Sequence, residues 1–163
     1  MIEYEIHSVE YDQLPQCVET LHQAFGESAK RFGYTKETYP SSGAYITLSD
    51  LIAAKERGVH MYAACVCGKI AGYVQLEKTS DGVYAFRRFA VLPEYQQLGI
   101  GRALIAHCCA RAERYGGKKM TLVMINENEK LKKFYQSNGF TVTKIAKDDS
   151  LPFEYCVMEL EFI

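Results

Sequence analysis

The sequence lacks the features that mark membrane, secreted and nucleic-acid-binding proteins. None of its apolar runs reaches the length of about 18 residues that a transmembrane helix needs. The N-terminus, Met1–Glu5, is acidic and alternates in polarity, unlike a signal peptide. The 19 Lys and Arg residues balance 20 Asp and Glu, a formal charge of −1, and no basic face is present. We therefore expect a cytoplasmic protein with no membrane and no nucleic-acid partner.

The six cysteines do not form a metal-binding pattern. Cys65 and Cys67 lie two residues apart on one face of a predicted strand, whereas Cys108 and Cys109 lie in a predicted helix. No C-x-x-C spacing occurs, and no histidine is placed to complete a zinc site. We predict buried, reduced thiols and no metal.

Internal repeats, linkers and low-complexity segments are also missing. A length of 163 residues is typical of one domain, and 48% apolar with 24% charged residues is ordinary for a globular protein. We therefore predict a single domain over residues 1–163.

What the sequence does contain is a regular succession of strand and helix patterns. Apolar runs predict seven strands, at residues 2–9, 60–67, 70–78, 83–92, 119–125, 140–145 and 153–162. Helical spacing predicts helices at 14–25, from a cap at Ser49 or Asp50 to 57, at 102–115, and from a cap at Asn126 to 137. Short turns favour an antiparallel meander over residues 60–92, and an antiparallel pair at the end. A helix between the strands at 83–92 and 119–125 favours parallel pairing, so the fold class is mixed α/β.

The most informative stretch is F-A-V-L-P-E-Y-Q-Q-L-G-I-G-R-A, residues 89–103. A strand pattern ends at Pro93, Gly99 and Gly101 follow, and a helix pattern begins at Arg102. The free N–H groups and the dipole of a helix start favour an anion, and glycine lets the backbone approach it. Leu104 stands where a dinucleotide fingerprint has its third glycine, and the phosphate-loop Lys is absent as well. The spacing therefore predicts a phosphate site, with a purely structural turn as the alternative.

In its context the loop resembles one family, the GNAT-type N-acetyltransferases, which bind acetyl-CoA. Their pattern is a strand ending in V-x-P, then [QR]-x-x-G-x-[GA], then a helix. The matching residues are Val91, Pro93, Gln96, Gly99 and Gly101.

A second block is similar to the family pattern N-x-x-A-x-x-[FL]-Y-x-x-x-G-F. It matches at Asn128, Tyr135 and Gly139-Phe140, and departs at Leu131, where a small residue is usual. The order of elements agrees over nearly the whole chain.

This resemblance implies a GNAT-like sheet of about seven strands flanked by about four helices, with the parallel pair splayed at the acyl-CoA site. It implies acetyl-CoA as co-substrate, its pyrophosphate bound by backbone N–H groups of the loop and its pantetheine arm by the strand. Arg102 can equally be a solvated helix residue. The predicted acetyl-CoA-binding residues are Phe89, Val91, Gln96, Gln97, Leu98, Gly99, Ile100, Gly101, Arg102, Ala103 and Asn128.

Tyr135 has two interpretations. It lies seven residues after Asn128, so both share one helix face, which Leu131 and Phe134 make mostly apolar. Spacing alone favours a buried core tyrosine, whereas the resemblance implies a general acid. An alkyl thiol has a pKa near ~8.5 and tyrosine near ~10, so proton donation to the leaving thiolate faces a small mismatch.

A base must also deprotonate the acceptor, since an alkyl ammonium has a pKa near ~10.4 and cannot attack. Glu77 and Glu154 are the catalytic candidates of equal rank, with His60 behind them. Each of the three can instead be an ordinary surface or packed residue.

Two further features bear on the acceptor. Arg87 and Arg88 are consecutive on a strand, so we expect their side chains on opposite faces. An arginine in the cleft would indicate a carboxylate or phosphate on the acceptor, and structural pairing is the alternative. The tyrosine-rich loop at 32–46 either lines the acceptor cleft or packs in the core.

The expected activity is transfer of acetyl from acetyl-CoA to a primary amine of a small molecule or peptide. Direct attack in a ternary complex is expected, because no cysteine occupies a reactive position in either motif. The alternative is a GNAT-like acyl-CoA-binding sensor or partner module without chemistry. A homodimer is compatible with the resemblance, and the acceptor and the acyl length stay open.

Overall fold

Seven strands and four helices alternate along the computed structural model, which describes residues 2–163. The strands are β1 (Glu5–Ser8), β2 (His60–Val66), β3 (Lys69–Ser80), β4 (Val83–Val91), β5 (Lys119–Ile125), β6 (Thr141–Lys147) and β7 (Glu154–Glu161). The helices are α1 (Leu14–Phe32), α2 (Leu48–Glu56), α3 (Ile100–Arg114) and α4 (Glu129–Ser137). Their number, type and order confirm the sequence prediction.

The strands form one mixed sheet in the order β1-β2-β3-β4-β5-β7-β6. Neighbouring strands are antiparallel except β4 and β5, which are parallel. Both the meander and the parallel pair are therefore confirmed. The sequence did not reveal that β7 lies between β5 and β6, so the chain's last strand, not the one before it, pairs with β5.

The parallel pair splays after a short contact. Residues 83–85 of β4 pair with residues 119–121 of β5, and no pairing follows, although β4 continues to Val91 and β5 to Ile125. The edge of β4 that faces β5 is therefore without a strand partner from Phe86 onward. This opening lies directly before the glycine loop, as the family resemblance implied.

Each face of the sheet carries its own buried cluster. On one face α3 and α4 pack on the larger cluster, which includes Phe86, Leu104 and Phe140. On the other face α1 and α2 pack on a second cluster, which includes Leu21 and Tyr73. The splay thus opens between two helical layers of different composition.

The helix ends of α1 and α2 differ from the prediction. We predicted that α1 ends near Phe25, but it continues to Phe32 and ends at Gly33, whose φ is 70°. Glycine inside a helix costs only about 1 kcal/mol, so Gly26 does not stop α1, whereas a left-handed glycine does. The cap of α2 is Thr47, in a reciprocal capping box with Asp50, rather than Ser49 or Asp50 itself.

Among the helices within residues 2–163, none combines the length and the apolar composition needed to cross a bilayer.

Candidate active site

The loop between β4 and α3 presents a row of unpaired backbone donors. Within residues 2–163, none of the six consecutive N–H groups from Gln97 to Arg102 donates to a protein acceptor. The next N–H, that of Ala103, donates to the Gly99 carbonyl at 3.0 Å. These donors lie at the positive end of the α3 dipole, so the loop can bind a phosphate group. The predicted contact from the Ala103 N–H is corrected, because the helix already uses that donor.

The two loop glycines are needed for different reasons. Gly99 has a φ of 88°, and an added Cβ would meet nothing within 4 Å, so backbone conformation rather than space requires glycine. At Gly101 an added Cβ would lie 3.0 Å from the Phe134 ring and 3.1 Å from the Phe89 ring. Gly101 therefore lets two aromatic rings approach the first turn of α3.

The open edge of β4 adds a second row of backbone groups beside the loop. Phe89 and Val91 lie on this edge and are half-buried. An extended, amide-containing chain can pair with such an edge as a strand would. Gln96 donates Nε2 to the Val91 carbonyl at 3.0 Å. Its side chain therefore ties the loop to the strand, and only its remaining N–H could contact a phosphate.

The other predicted loop residues divide into buried and exposed side chains. Ile100 is buried and belongs to the core beneath α3, so it can contribute only its N–H. Leu98 is 45% exposed. Arg102 is exposed and forms no salt bridge with any described residue. Its guanidinium is thus available to an anion bound at the loop.

Tyr135 projects from α4 onto the part of β4 that has separated from β5. Its ring centroid lies 6.1 Å from that of Phe86 and 6.0 Å from that of Phe89, and the residue is 5% exposed. Its hydroxyl has no hydrogen-bond partner in residues 2–163, yet it is not one of the fully buried unpaired groups, which are Tyr62 Oη and His107 Nε2. The ring is therefore buried while the hydroxyl keeps an accessible surface.

Burial raises the pKa of Tyr135 above its ordinary value of about 10. The phenol is therefore neutral at physiological pH and can donate a hydrogen bond. The small mismatch with a thiol pKa near ~8.5, expected for an ordinary tyrosine, is corrected to a wider one. In this environment Tyr135 is suited to stabilising a thiolate by a hydrogen bond before it gives up its proton.

Asn128 caps α4. Its Oδ1 accepts a hydrogen bond from the Leu131 N–H at 3.2 Å, so the predicted cap at Asn126 was wrong. Asn126 Oδ1 instead accepts from Lys132 Nζ at 2.6 Å. Capping uses the oxygen of Asn128 and leaves its amide N–H groups without a partner in the described chain. Those groups can serve a ligand, in line with the predicted acetyl-CoA contact.

A β-bulge in β4 changes where its two arginines point. The pairing with β3 shifts register between Tyr73–Ala90 and Gln75–Arg87, and Arg88 has a φ of 51°. Two residues of β4 thus oppose one of β3, and the alternation of faces is reset. The expectation of opposite faces is wrong: Arg87 and Arg88 both lie on the α1/α2 face.

Glu77 lies on that same face between two guanidinium groups. Its Oε1 accepts from Arg87 Nη1 at 2.5 Å and its Oε2 from Arg57 Nε at 3.1 Å. Its side chain is 20% exposed. Both carboxylate oxygens are therefore held in place at the rim of the α2 layer.

A cavity of about 230 Å³ lies between α2 and the strands β3 and β4. Its lining is formed by Ile46, Asp50, Ala53, Ala54, Arg57, Gln75 and Arg88. Gln75 is 4% exposed and donates Nε2 to the Tyr73 hydroxyl at 2.9 Å. The cavity opens on the face opposite Tyr135, beside the bulge.

The other two base candidates lie elsewhere. Glu154 is exposed, and its strand parity with Cys156 places it on the α3/α4 face rather than the cavity face. His60 stacks on Tyr115 at 4.7 Å, at the C-terminal end of α3, far along the helix from the glycine loop. Burial, with a smaller effect of Arg111, lowers the pKa of His60. Of the three candidates, only Glu77 reaches the cavity side.

A sequence model of the acetyltransferase (GNAT) domain matches residues 57–142, just over half of the chain. The chain belongs to the GNAT acetyltransferase family. The match covers the residues from the C-terminal end of α2 to β6, including the splay, the glycine loop and Tyr135. No curated protein sequence matches the chain.

Solved structures of other acetyltransferases share the fold. The PaiA N-acetyltransferase of Thermoplasma acidophilum, in complex with coenzyme A, has a TM-score of 0.79 at 19% identity, covering 99% of this chain and 100% of that one. The ribosomal-protein-S18-alanine N-acetyltransferase of Escherichia coli has a TM-score of 0.77 at 20% identity, covering 98% of this chain and 94% of that one. The IAA acetyltransferase of Bacillus cereus has a TM-score of 0.71 at 18% identity, covering 98% of this chain and 100% of that one. At these identities the likeness shows the fold, not the acceptor.

In this acetyltransferase the tyrosine-rich loop is packed rather than open. Tyr34 is buried, its ring centroid lies 5.1 Å from that of Tyr39 and 6.1 Å from that of Phe153, and its hydroxyl is 2.9 Å from Ser42 Oγ. Arg88 Nη1 donates to the Ser41 carbonyl at 3.3 Å. Core packing is thus right for Tyr34, while the loop also borders the cavity through Ile46.

The acetyltransferase has no grouped metal ligands in the described part of the chain. Within residues 2–163, no set of three or more His, Cys, Asp or Glu side chains could hold a metal ion. The six cysteines are all free thiols.

Sequence reasoning missed the cavity residues Arg57 and Gln75 and saw Asp50 only as a helix cap. One signal was present: Gln75 is the polar residue inside the apolar run I-A-G-Y-V-Q-L of β3. A polar side chain at a buried strand position usually has a specific partner. Arg57 carried no such signal, because a charged residue at a helix end is ordinary.

Proposed function

We propose that this protein transfers the acetyl group of acetyl-CoA to a primary amine of a small molecule or peptide. The observation that carries the proposal is the row of six free N–H groups, Gln97 to Arg102, next to the unpaired edge of β4. Together they match a ligand that joins a pyrophosphate to an extended chain of amides. We further propose that residues 1–163 form one domain, because a single sheet carries both buried clusters.

On this proposal the loop holds the pyrophosphate and Arg102 adds a charged contact. The β4 edge at Phe89 and Val91 pairs with the pantetheine arm, and Asn128 supplies an amide donor from α4. Bound acetyl-CoA supplies an activated thioester. The chain's part is to place the thioester carbonyl in the splay, where an amine from the α1/α2 side can reach it.

Tyr135 acts on the leaving sulfur. Its accessible hydroxyl sits in an otherwise buried aromatic cluster, which supports a hydrogen bond to a developing thiolate. The phenol is kept neutral by its raised pKa, so the donor is present throughout the working pH range. It then delivers its proton as the tetrahedral intermediate collapses.

Glu77 is the base that we favour over Glu154, because only Glu77 lies on the cavity face. It removes the ammonium proton directly or through a water, with Arg57 and Arg87 fixing its orientation. The raised pKa values of two thiols support direct attack by the amine over an acetyl-cysteine intermediate. Burial raises the pKa of Cys17 to about 12 and that of Cys109 to about 11, the latter with a smaller effect of Glu113, which makes either a poor nucleophile.

The test is release of free CoA thiol from acetyl-CoA in the presence of a panel of primary amines. We expect amine-dependent release and an acetylated amine identified by mass spectrometry. Acetyl-CoA binding without thiol release for any amine would contradict the proposal and favour an acyl-CoA-binding sensor. A panel extended to propionyl-CoA tests the acyl length in the same assay.

A further inference from the structure

We propose that the amine acceptor carries an anionic group, a carboxylate or a phosphate, and that Arg88 binds it in the cavity beneath α2. The inference rests on the proposed amine acetylation and deepens it by naming the acceptor class. It requires that the cavity, and not the glycine loop, recognises the acceptor.

A β-bulge, and not the regular alternation of a strand, sets the placement of Arg88. In a regular strand its side chain would alternate with that of Arg87 and enter the α3/α4 face. The bulge and the φ of 51° direct it instead to the cavity wall. A left-handed non-glycine residue is strained, and such strain is concentrated where side-chain placement matters for function.

Arg88 differs from its neighbours Arg57 and Arg87 in its exposure and in its partners. Arg57 and Arg87 are both more than half exposed, and both form a salt bridge with Glu77. Arg88 is less exposed, yet it forms no salt bridge with any residue of the described chain, and its single hydrogen bond goes to a backbone carbonyl. Burial lowers the pKa of Arg88, which reflects an incompletely compensated charge. A ligand anion would complete that compensation.

The surroundings of Arg88 are polar and charged. Asp50 also lines the cavity and offsets part of the Arg88 charge, but its Oδ2 accepts the Thr47 N–H at 2.9 Å as part of the α2 cap, and it forms no salt bridge with Arg88 in the described chain. With Glu77 shared by two arginines, three guanidinium groups face two carboxylates, so the surroundings keep an excess positive charge. The Gln75 amide adds a neutral polar group to the wall. Polycationic acceptors such as polyamines are disfavoured there.

The size of the cavity agrees with a small anionic group. Its volume of about 230 Å³ is below the roughly 300–1,000 Å³ of pockets for drug-sized ligands. A carboxylate or phosphate on a short aliphatic amine would fit, with the amine directed toward the splay.

The experiment compares matched amines in the thiol-release assay: 4-aminobutyrate against butylamine, and phosphoethanolamine against ethanolamine, with spermidine as the polycation. We expect kcat/KM at least about tenfold higher for an anionic member than for its neutral match, the usual size of a charged hydrogen bond. The two pairs separate a carboxylate from a phosphate. A preference for neutral amines or for spermidine would overturn the inference while leaving amine acetylation intact.

Substitution then assigns the preference to Arg88. Arg88→Gln should raise KM for the preferred anionic amine about tenfold or more, with the neutral amine and acetyl-CoA affinity unchanged. Arg88→Lys, which keeps the positive charge but lacks the planar guanidinium, should raise this KM by a smaller factor. Arg114→Gln removes the same charge at the far end of α3 and should change the KM of neither the anionic nor the neutral amine. Equal losses for anionic and neutral amines in Arg88→Gln would show a structural role and refute the assignment.

Binding provides a readout that does not depend on turnover. Calorimetry of 4-aminobutyrate and phosphoethanolamine on CoA-saturated protein should show binding of at least one of them that Arg88→Gln weakens by the same factor. Absence of binding of both anionic amines to the wild-type protein would refute the inference even if no amine in the panel is acetylated.

Discussion

The glycine loop and the α2 cavity differ in what they are made of. The loop is built almost entirely from backbone N–H groups of consecutive residues, Gln97 to Arg102. The cavity is built from side chains of α2, β3 and β4, of which Arg57, Gln75 and Arg88 lie far apart in sequence. A backbone site depends on conformation and tolerates most side chains, whereas a side-chain site depends on the residues themselves. The first suits a donor common to a family, and the second suits an acceptor that differs between its members.

Gly99→Val should have the largest effect on the glycine loop. The φ of 88° at Gly99 is disfavoured for a β-branched residue by roughly 1–2 kcal/mol. If the backbone relaxes to a negative φ, the loop N–H groups turn away from the bound phosphate. Losing two charge-assisted hydrogen bonds costs about 3–6 kcal/mol, so acetyl-CoA affinity should fall by about 100-fold or more. Calorimetric titration with acetyl-CoA measures this loss.

Gly26→Val is the matched control for that experiment. Gly26 lies inside α1 and an added Cβ there meets nothing within 4 Å, so the variant should fold and bind acetyl-CoA normally. Unaltered affinity in Gly99→Val would mean that the loop does not bind the donor.

Tyr135→Phe tests the chemistry next to the loop. Removing the hydroxyl leaves the aromatic packing in place, so acetyl-CoA affinity should change less than about twofold. Loss of the acid should lower kcat about 100-fold, the usual size of such an effect. The pH profile is also fixed: because the pKa of Tyr135 is raised, the protonated form persists and kcat should not fall up to about pH 10.

Tyr84→Phe is the matched control, since Tyr84 is buried in the same strand layer but lies before the splay. It should leave kcat unchanged. Two results would contradict the role of Tyr135: full turnover of the correct amine by Tyr135→Phe, or a wild-type kcat that falls with a midpoint below pH 9.

Glu77→Gln tests the proposed general base on the cavity side of the sheet. If Glu77 removes the ammonium proton, kcat/KM at pH 7 should drop about tenfold and recover as pH approaches the amine pKa near ~10.4. Glu154→Gln makes the same chemical change at the exposed candidate on the other face and should have little effect. A larger effect of Glu154→Gln, or a loss in Glu77→Gln that is independent of pH, would reverse the assignment.

The difference between a site of consecutive residues and a site of residues far apart in sequence explains what the sequence could predict. Strand and helix periods, the V-x-P ending and the G-x-G spacing are local, so the elements, the parallel pair and the loop were predicted. The bulge at Arg88 depends on how β3 pairs with β4, and alternation along one strand gives the opposite face. The raised pKa of Tyr135 likewise comes from rings on β4 and α4 that meet only in the fold. The α4 cap at Asn128 rather than Asn126 was missed because both residues have the right chemistry.

Gly101→Ala separates packing from conformation within the loop. The new methyl would lie 3.0 Å from the Phe134 ring and 3.1 Å from the Phe89 ring, so the rings must shift. We expect a loss of about 1–3 kcal/mol in the free energy of unfolding, as for other overpacked sites, and a loss of acetyl-CoA affinity of only a few fold. Urea denaturation measures the first quantity. Gly26→Ala should instead raise the free energy of unfolding by about 0.5–1 kcal/mol. An unchanged free energy of unfolding in Gly101→Ala would show that the two rings shift without cost.

Cys67→Ser is expected to change nothing in catalysis, and that result separates direct attack from an acetyl-enzyme. Cys67 is exposed at the β2–β3 turn, whereas Cys17 and Cys108 are buried and burial raises the pKa of both thiols. A thiol-reactive dye should therefore label Cys67 in a fast phase that Cys67→Ser removes, while kcat stays the same. Because the dye also detects free CoA, the variant gives a cleaner thiol-release assay. A loss of turnover in Cys67→Ser, or acetyl transferred from acetyl-CoA to a cysteine and then to amine, would replace the ternary complex with a two-step route.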